Sequence, residues 1–284
     1  MKTIYTNDFM LNTKGPNQSF GNHVLHLYGV WKISKTLGIN FSVGEDSNLD
    51  EMFILDPFKK KGKGDPSLLF TEKYGGNLYD HVHKEEQNDA FISSLLTSKI
   101  EIPQDFYLSG WLFNSRLLPD SRFFEDVKIK ENLIDEIENN FSYIREESSL
   151  VIHYRGTDFS NHSIGWGDLR LKEEYYELCL KNFSASRKIG RIILVSDEVP
   201  DFLLSLCQRY TSNISVEKNN YLIDWLILLF SKNLICSNSS FCYTAGWHNK
   251  NVVYQPRGFL ARYIDKTLSY PLYPYYQIKN SITI

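Results

Sequence analysis

The sequence predicts an α/β protein whose second half is a Rossmann-like domain. Three apolar runs typical of buried strands lie at 149–154, 191–196 and 234–237, and shorter strands are predicted at 213–216 and 251–255. Helical segments fall between them, at 171–183, 199–210 and 220–232. Strands that alternate with helices in this way build a parallel sheet with helices on both faces.

The first half of the chain also mixes strands and helices. Residues 1–6 predict a first strand, and a helix is predicted from Phe20 to Leu37 because apolar residues recur on one face, at Val24, Leu27, Tyr28 and Trp31. Gly38 favours the end of that helix. Further strands are expected at 39–43, 52–55 and 106–111, and further helices near 87–97 and across 124–142. We place the domain boundary after residue 146, which gives domains 1–146 and 147–284.

The composition is that of a globular protein large enough for two domains. A chain of 284 residues can bury two cores. Hydrophobic residues at 42% and charged residues at 23% argue against extensive disorder. The net charge of −3 argues against a general nucleic-acid-binding protein, which is usually basic.

Cysteine usage and hydropathy predict a cytoplasmic protein. The four cysteines lie in apolar surroundings without a Cys-x-x-Cys pair, so we expect reduced core residues: Cys179, Cys207, Cys236 and Cys242. The start of the chain lacks the pattern of a secretory signal. The longest apolar run, Trp225–Phe230, is too short to span a bilayer. Peripheral contact with the inner face of a membrane stays open.

An arginine follows the first strand of the second domain. Residues 153–158 are His-Tyr-Arg-Gly-Thr-Asp. A guanidinium at the end of a buried strand is well placed for bidentate, charge-assisted bonds to a phosphate, which makes Arg155 a candidate anion ligand. His153 and Asp158 can orient a ligand or each other. The alternative is a salt bridge between Arg155 and Asp158 without a ligand.

Two further strands end in polar residues. Ser196 and Asp197 follow the strand at 191–196, and Ser237, Asn238, Ser239 and Ser240 stand between the strand at 234–237 and a predicted helix. Ser and Asn cap helix starts, and a helix start with spare N–H groups also attracts a phosphate. Helix capping alone is the alternative. Three such clusters indicate a ligand site beyond the carboxyl ends of a parallel sheet.

Several other classes of site are disfavoured. No strand is followed by Gly-x-Gly-x-x-Gly or by a P-loop, and no Gly-x-Ser-x-Gly is present, which weakens the dinucleotide, P-loop and serine-hydrolase hypotheses. His81 and His83 have strand-like spacing but lack a nearby third ligand, so no metal site is predicted.

Taken together, these motifs resemble those of the α-1,2-fucosyltransferases, glycosyltransferase family 11. The resemblance rests on His-x-Arg-x-x-Asp after a strand, Ser-Asp after the next long strand and Ser-Asn-Ser-Ser-Phe at a late helix start. Gly21-Asn22 at the first helix and Gly110-Trp111 before the linker match the family in order. The His-x-Arg element is shared more loosely with other fucosyltransferases. Gly156 stands where the family usually has a second arginine. The late motif of the family usually continues into Trp-Trp-Ala-Ala-Trp, whereas this chain has Cys-Tyr-Thr-Ala-Gly-Trp at 242–247.

The resemblance implies a GT-B fold, in which two Rossmann-like domains face a cleft, and an inverting transfer of fucose from GDP-β-L-fucose to a glycan hydroxyl in an α-1,2 linkage. The donor is implied to need no metal or cofactor. The implied acceptor is an oligosaccharide, a glycoconjugate or a lipid-linked glycan. A GT-B transferase that uses another sugar nucleotide and a non-catalytic nucleotide- or glycan-binding protein are the alternatives.

Site roles follow from the same resemblance. Arg155 is assigned to the donor diphosphate, and the N–H groups of Ser239, Ser240 and Phe241 to its β-phosphate. The remaining donor contacts are assigned to His153, Asp197 and Asn238, with Asp197 on the guanine or the ribose. On the acceptor side the assigned residues are Gly21, Asn22 and Trp166. A general base, where one is needed, is assigned to His23 or Asp158.

Overall fold

The computed structural model describes residues 3–6, 20–43, 48–59, 93, 96–97, 106–108, 115–156, 159, 168–256, 262–264, 267–269, 278 and 281–284. The chain divides into two compact units, Met1–Glu131 and Asn132–Ile284. Each unit contains a parallel sheet and helices, which confirms the predicted α/β class. The predicted domain limits, 1–146 and 147–284, stay a prediction.

The first unit is built on a three-stranded parallel sheet. The described strands of the whole unit are β1 (Thr3–Thr6), β2 (Asn40–Ser42), β3 (Phe53–Ile54), β4 (Phe106–Leu108) and β5 (Lys128–Ile129). Its helices are α1 (Phe20–Leu37) and α2 (Phe123–Asp126), with 3-10 turns at Asn48–Glu51, Asp56–Phe58 and Ser115–Leu117. The sheet has the order β2-β1-β4, and β3 pairs antiparallel with β5.

Helix α1 spans the predicted residues but is more deeply buried than predicted. Besides the expected face, residues such as Leu25, Val30 and Ile33 are also buried. A helix that is apolar on most sides belongs in a core, and α1 packs against β1 and β2 as well as the turns at Asn48–Glu51 and Ser115–Leu117. Gly38 ends the helix with a φ of 64°, a left-handed conformation that glycine adopts without steric cost.

The second unit contains the longer sheet. Its strands are β6 (Ser149–Tyr154), β7 (Arg191–Ser196), β8 (Ile214–Glu217), β9 (Asn233–Ile235), β10 (Val252–Gln255), β11 (Arg262–Ile264), β12 (Thr267–Ser269) and β13 (Ile282–Thr283). Its helices are α3 (Glu131–Asn140), which begins at the boundary, α4 (Glu173–Ser186), α5 (Asp201–Gln208), α6 (Tyr221–Phe230) and α7 (Ser240–His248). A 3-10 turn, Ser142–Arg145, leads into β6.

Strand order in this sheet reverses direction beside β6. Among the described residues the sheet has six parallel strands in the order β13-β10-β9-β6-β7-β8. The chain runs outward from β6 to β8, and α6 then returns it to β9 on the other side of β6. This is the order of doubly wound nucleotide-binding sheets, in which ligands bind outside the carboxyl ends of the two strands where the order reverses.

The two faces of β6 pack against different helices. Leu150, Ile152 and Tyr154 belong to a buried cluster with residues of α4 and α5. His153 points to the other face, where it stacks on Phe241 of α7. Both faces are covered, which explains why β6 is buried at every position and apolar at its centre, Leu150–Ile152.

Two sequence predictions were wrong in detail. The strand expected at 234–237 ends at Ile235, so Cys236 and Ser237 belong to the turn that follows. The helix expected across 124–142 is interrupted by β5, because Lys128 and Ile129 pair with β3. None of the described helices is both long and apolar enough to cross a membrane. All four cysteines are buried and unpaired, as predicted.

Candidate donor site at the carboxyl edge of the second sheet

The reversal beside β6 brings the two principal motifs together. His153 lies in β6, and Ser237 lies just beyond β9, 84 residues later in the chain. The Nδ1 atom of His153 and the Oγ atom of Ser237 are 2.6 Å apart, which is a hydrogen bond between two buried side chains. The two motifs therefore form one site at the carboxyl ends of β6 and β9.

His153 is fixed from several directions. Its ring stacks on Phe241 with centroids 5.6 Å apart, and its carbonyl oxygen accepts a hydrogen bond of 3.3 Å from the Tyr176 hydroxyl. The ring is 4% exposed, so water does not compete for these contacts. His153 thus ties the end of β6 to the start of α7, and it orders the backbone that leads to Arg155.

Arg155 follows the end of β6, and its side chain is part-exposed. Its Nη1 atom lies 3.5 Å from Oδ2 of Asp197, the first residue after β7. The side chains of Arg155 and Asp197 are 29% and 23% exposed. The other carboxylate oxygen of Asp197 accepts a 3.0 Å hydrogen bond from the Gly156 N–H. The loops after β6 and β7 are therefore joined at this edge.

Gly156 lies where a side chain would be crowded. A Cβ atom at this position would come 3.0 Å from Oε2 of Glu198 and 3.1 Å from Cε1 of Tyr154. Either neighbour would have to move to admit any other residue. The turn after β6 is therefore packed closely against Glu198 and Tyr154 at Gly156.

The start of α7 presents a capped helix terminus. Ser239 is the N-cap, and its Oγ accepts a hydrogen bond of 3.3 Å from the Phe241 N–H. That distance is at the long end for such a bond. Ser239 is buried, whereas Ser240 and Phe241 are half-buried. The positive end of the helix dipole thus meets the edge of the sheet where Arg155 lies.

Asn238 connects the α7 start to the segment before α4. Its Nδ2 donates a 3.3 Å hydrogen bond to the Leu169 carbonyl, and Asn238 is 1% exposed. The Leu169 N–H in turn donates to the Phe159 carbonyl at 3.0 Å. Asn238 therefore acts in this structure as a scaffold for neighbouring backbone.

Sequence reasoning missed Asp224, a carboxylate that interacts electrostatically with His153. Asp224 lies in α6, and its Oδ1 accepts hydrogen bonds from the backbone and side-chain nitrogens of Asn219, at 3.3 and 3.1 Å. Burial raises the pKa of Asp224, and these hydrogen bonds and the nearby His153 ring oppose the rise. The signal was available, because Asp224 is the single charged residue in the otherwise apolar run Tyr221–Phe230.

The predicted acceptor-side residues lie in the first turn of α1, in the first unit. Gly21 is buried and Asn22 is half-buried. His23 is 3% exposed, and its Nδ1 has no hydrogen-bond partner among the described residues. Burial lowers the pKa of His23 from its ordinary value of 6.5. The imidazole is therefore neutral at pH 7 and able to accept a proton.

Several predictions fall outside the described residues, namely Asp158, Trp166, Gly110, Trp111, His81 and His83. Within the described ranges, no three His, Cys, Asp or Glu side chains come together in a way that could hold a metal ion.

The chain is similar in structure to solved glycosyltransferases. Neither protein-family models nor curated protein sequences match this chain. A mutant of Arabidopsis thaliana FUT1 in complex with GDP superposes with a TM-score of 0.56 at 11% identity, over 94% of this chain and 72% of that one. The apo form of POFUT1 has a TM-score of 0.51 at 12% identity, over 86% of this chain and 93% of that one.

A third solved structure points to the same architecture. The NodZ α-1,6-fucosyltransferase soaked with GDP-fucose has a TM-score of 0.50 at 13% identity, over 86% of this chain and 91% of that one. Likeness at such low identity concerns the fold, and the fold that these proteins share is GT-B. The α/β chain described here therefore has the GT-B glycosyltransferase fold that the sequence predicted.

Proposed function

We propose that this protein transfers L-fucose from GDP-β-L-fucose to a hydroxyl of a glycan acceptor, with inversion and formation of an α-1,2 linkage. The observation that carries the proposal is the 2.6 Å hydrogen bond between His153 and Ser237. It unites the His-x-Arg motif and the Ser-Asn-Ser-Ser motif at the place where a doubly wound sheet binds nucleotides. The fold of fucosyltransferases, two of them solved with GDP or GDP-fucose, supports the same activity.

The diphosphate of the donor is assigned to Arg155 and to the start of α7. Departure of GDP builds negative charge on the β-phosphate, which preorganised donors stabilise. Arg155 offers a planar guanidinium that is part-exposed. At α7 the Ser240 and Phe241 N–H groups face the sheet edge, and a phosphate oxygen would replace the long Ser239 contact to the Phe241 N–H.

The guanine base is assigned to the carboxylate of Asp224. A carboxylate accepts hydrogen bonds from the two adjacent donors of guanine, N1–H and the N2 amino group. Uracil and adenine each present only one donor next to an acceptor on that edge. Asp224 is part-buried and interacts electrostatically with His153, which supports assigning its carboxylate to the base.

The acceptor side is assigned to the first unit. His23 is the candidate general base, because its buried imidazole is neutral and its Nδ1 lacks a partner among the described residues. Asn22 precedes it in the same helical turn and is the candidate contact to the transferred sugar. Asp158 and Trp166 keep their predicted roles as alternative base and acceptor contact.

Binding measurements on purified protein test the donor assignment. Calorimetry without added metal should show binding of GDP and GDP-fucose and much weaker binding of UDP and ADP. Arg155→Ala should weaken GDP binding about 10- to 100-fold, since a hydrogen bond to a charged group contributes about 1.5–3 kcal/mol. Arg145→Ala is the control, because Arg145 forms an exposed ion pair with Glu138 and stacks on Phe230, away from the site.

Turnover then tests the chemistry. Incubation with GDP-fucose and a panel of oligosaccharides should release GDP and yield a product whose linkage and anomeric configuration are read by NMR. Preference for another nucleotide would favour the second candidate, which is transfer of a different sugar. The observation behind that candidate is Gly156, which stands where the resembling family has a second arginine. Nucleotide binding without transfer to any acceptor would favour a non-catalytic binding protein.

A further inference from the structure

The turn after β7 contacts both a side chain and the backbone of the loop that carries Arg155. Asp197 spans both: Oδ1 accepts from the Gly156 N–H at 3.0 Å, and Oδ2 lies 3.5 Å from Arg155 Nη1. The carboxylate is therefore already occupied by groups of its own protein. A ligand hydroxyl or base bound there would share the carboxylate with the Gly156 N–H.

The same turn is itself held rigidly. The Ser196 hydroxyl accepts a 3.1 Å hydrogen bond from the Glu198 N–H and donates to the Glu198 carbonyl. Ser196 is buried at the end of β7, which pairs with β6 along its whole length. Glu198 packs its side chain against Gly156. The geometry of β7 is thereby transmitted to the backbone that carries Arg155.

We propose that Asp197 is a positioning residue that acts through Arg155, and that it does not contact the donor itself. The hydrogen bond to Gly156 fixes the turn that aims the Arg155 guanidinium at the diphosphate. The ion pair is the weaker element, because its charged groups are 3.5 Å apart and part-exposed. This inference rests on the proposed function, in which Arg155 binds the diphosphate.

The two contacts of Asp197 are separable by substitution. Asp197→Asn keeps an oxygen for the Gly156 N–H and loses the charge, whereas Asp197→Ala loses both. We expect GDP affinity within about 3-fold of wild type for Asp197→Asn, and a loss of about 10-fold for Asp197→Ala, since the Gly156 N–H is then left without its partner. Asp201→Ala, which removes another exposed aspartate from the start of α5, is the matched control and should leave GDP affinity unchanged.

A thermodynamic cycle with Arg155→Ala decides between positioning and direct contact. If Asp197 acts only through Arg155, adding Asp197→Ala to Arg155→Ala produces no further loss of GDP affinity. A further loss of the full 10-fold in that background would overturn the proposal, as would an Asp197→Asn variant as impaired as Asp197→Ala. The first result would mean that the carboxylate binds the donor directly, and the second that its charge, and not its hydrogen bond to the Gly156 N–H, sets GDP affinity.

Amide hydrogen exchange provides a readout that does not depend on the ligand. The Gly156 amide should be protected in the wild type and in Asp197→Asn and should lose protection in Asp197→Ala. An amide that exchanges freely in all three proteins would refute the hydrogen bond between the Gly156 N–H and Asp197 as the element that fixes the turn. If GDP does not bind the wild type while Asp197 still protects the Gly156 amide, the donor assignment is refuted. The hydrogen bond between Asp197 and Gly156 would then be present but would not position a donor ligand.

Discussion

The hydrogen bond between His153 and Ser237 predicts the effect of removing one oxygen atom. Ser237→Ala deletes the Oγ that lies 2.6 Å from His153 Nδ1 and changes the side chain in no other way. The two residues are 4% and 5% exposed, so water cannot replace the lost partner. The substitution leaves a buried imidazole nitrogen without the hydrogen bond it makes in the native protein.

The expected cost follows from that desolvation. A buried polar group left without its partner costs about 1–3 kcal/mol of the free energy of unfolding. For a chain of this size each kcal/mol lowers Tm by roughly 2–4 °C. We therefore expect Tm of Ser237→Ala to fall by roughly 2–12 °C. GDP affinity should fall as well, because His153 holds the strand end that carries Arg155.

Urea denaturation of the wild type and the variant measures this cost, provided that the free energy of unfolding of both proteins falls with the same slope (m-value) against urea concentration. Ser149→Ala is the matched control: Ser149 is also fully buried in the same sheet, but its Oγ has no hydrogen-bond partner among the described residues. That variant should be neutral or slightly more stable. Equal destabilisation by the two substitutions, or a loss below about 0.5 kcal/mol for Ser237→Ala, would refute the argument that this bond joins the two motifs.

Three other predictions concern single residues. Asn220→Ala should destabilise the protein by about 0.5–2 kcal/mol, because the Asn220 side chain accepts hydrogen bonds from the N–H groups of Leu222 and Ile223 at the start of α6. Asn220→Asp should restore most of the loss in the same denaturation assay. An unchanged urea midpoint for Asn220→Ala would contradict the role of Asn220 as the helix cap. Gly38→Ala should cost about 1–2 kcal/mol, because φ at this position is 64° and no neighbouring atom lies within 4 Å of an added Cβ, so that backbone strain is the only penalty; Gly38→Asn should cost less, and the reverse order would count against strain as the cause. Burial lowers the pKa of His23 from 6.5, so His23 binds fewer protons in the folded than in the unfolded state, and stability should fall as the pH drops below about 6.5. Denaturation midpoints measured from pH 5 to pH 8 should depend less on pH in His23→Gln than in the wild type. Parallel profiles for the two proteins would show that His23 is not the group responsible.

Local sequence patterns identified most of the elements. Helix α1 was predicted to its terminal residues because its apolar spacing and the glycine that ends it are both local signals. Strands β6 and β7 were predicted exactly, since a fully buried strand is a short run of branched apolar residues. The interruption of the predicted helix 124–142 by β5 was missed, because the pairing with β3 depends on residues far away in the chain.

The candidate site divided along the same line. Arg155 and the Ser239 cap were recognised from strand ends and helix-start residues, whose chemistry is visible in a few consecutive positions. Asp224 was missed because it lies in a helix that otherwise had the pattern of a core element. Asp197 was recognised as a site residue, but its bond to the Gly156 N–H joins segments 41 residues apart, so its partner could not be read from the sequence.

The sequence by itself therefore determined the α/β class, the strand-end chemistry and the residues available to bind an anion, because these depend on periodicity and on residue type. The tertiary structure alone decided that β9 returns to the side of β6, and hence that Ser237 meets His153. It also decided which carboxylate pairs with Arg155 and which interacts electrostatically with His153. Strand order is set by the packing of helices on two faces of one sheet, a balance of non-local contacts that no short stretch of sequence contains.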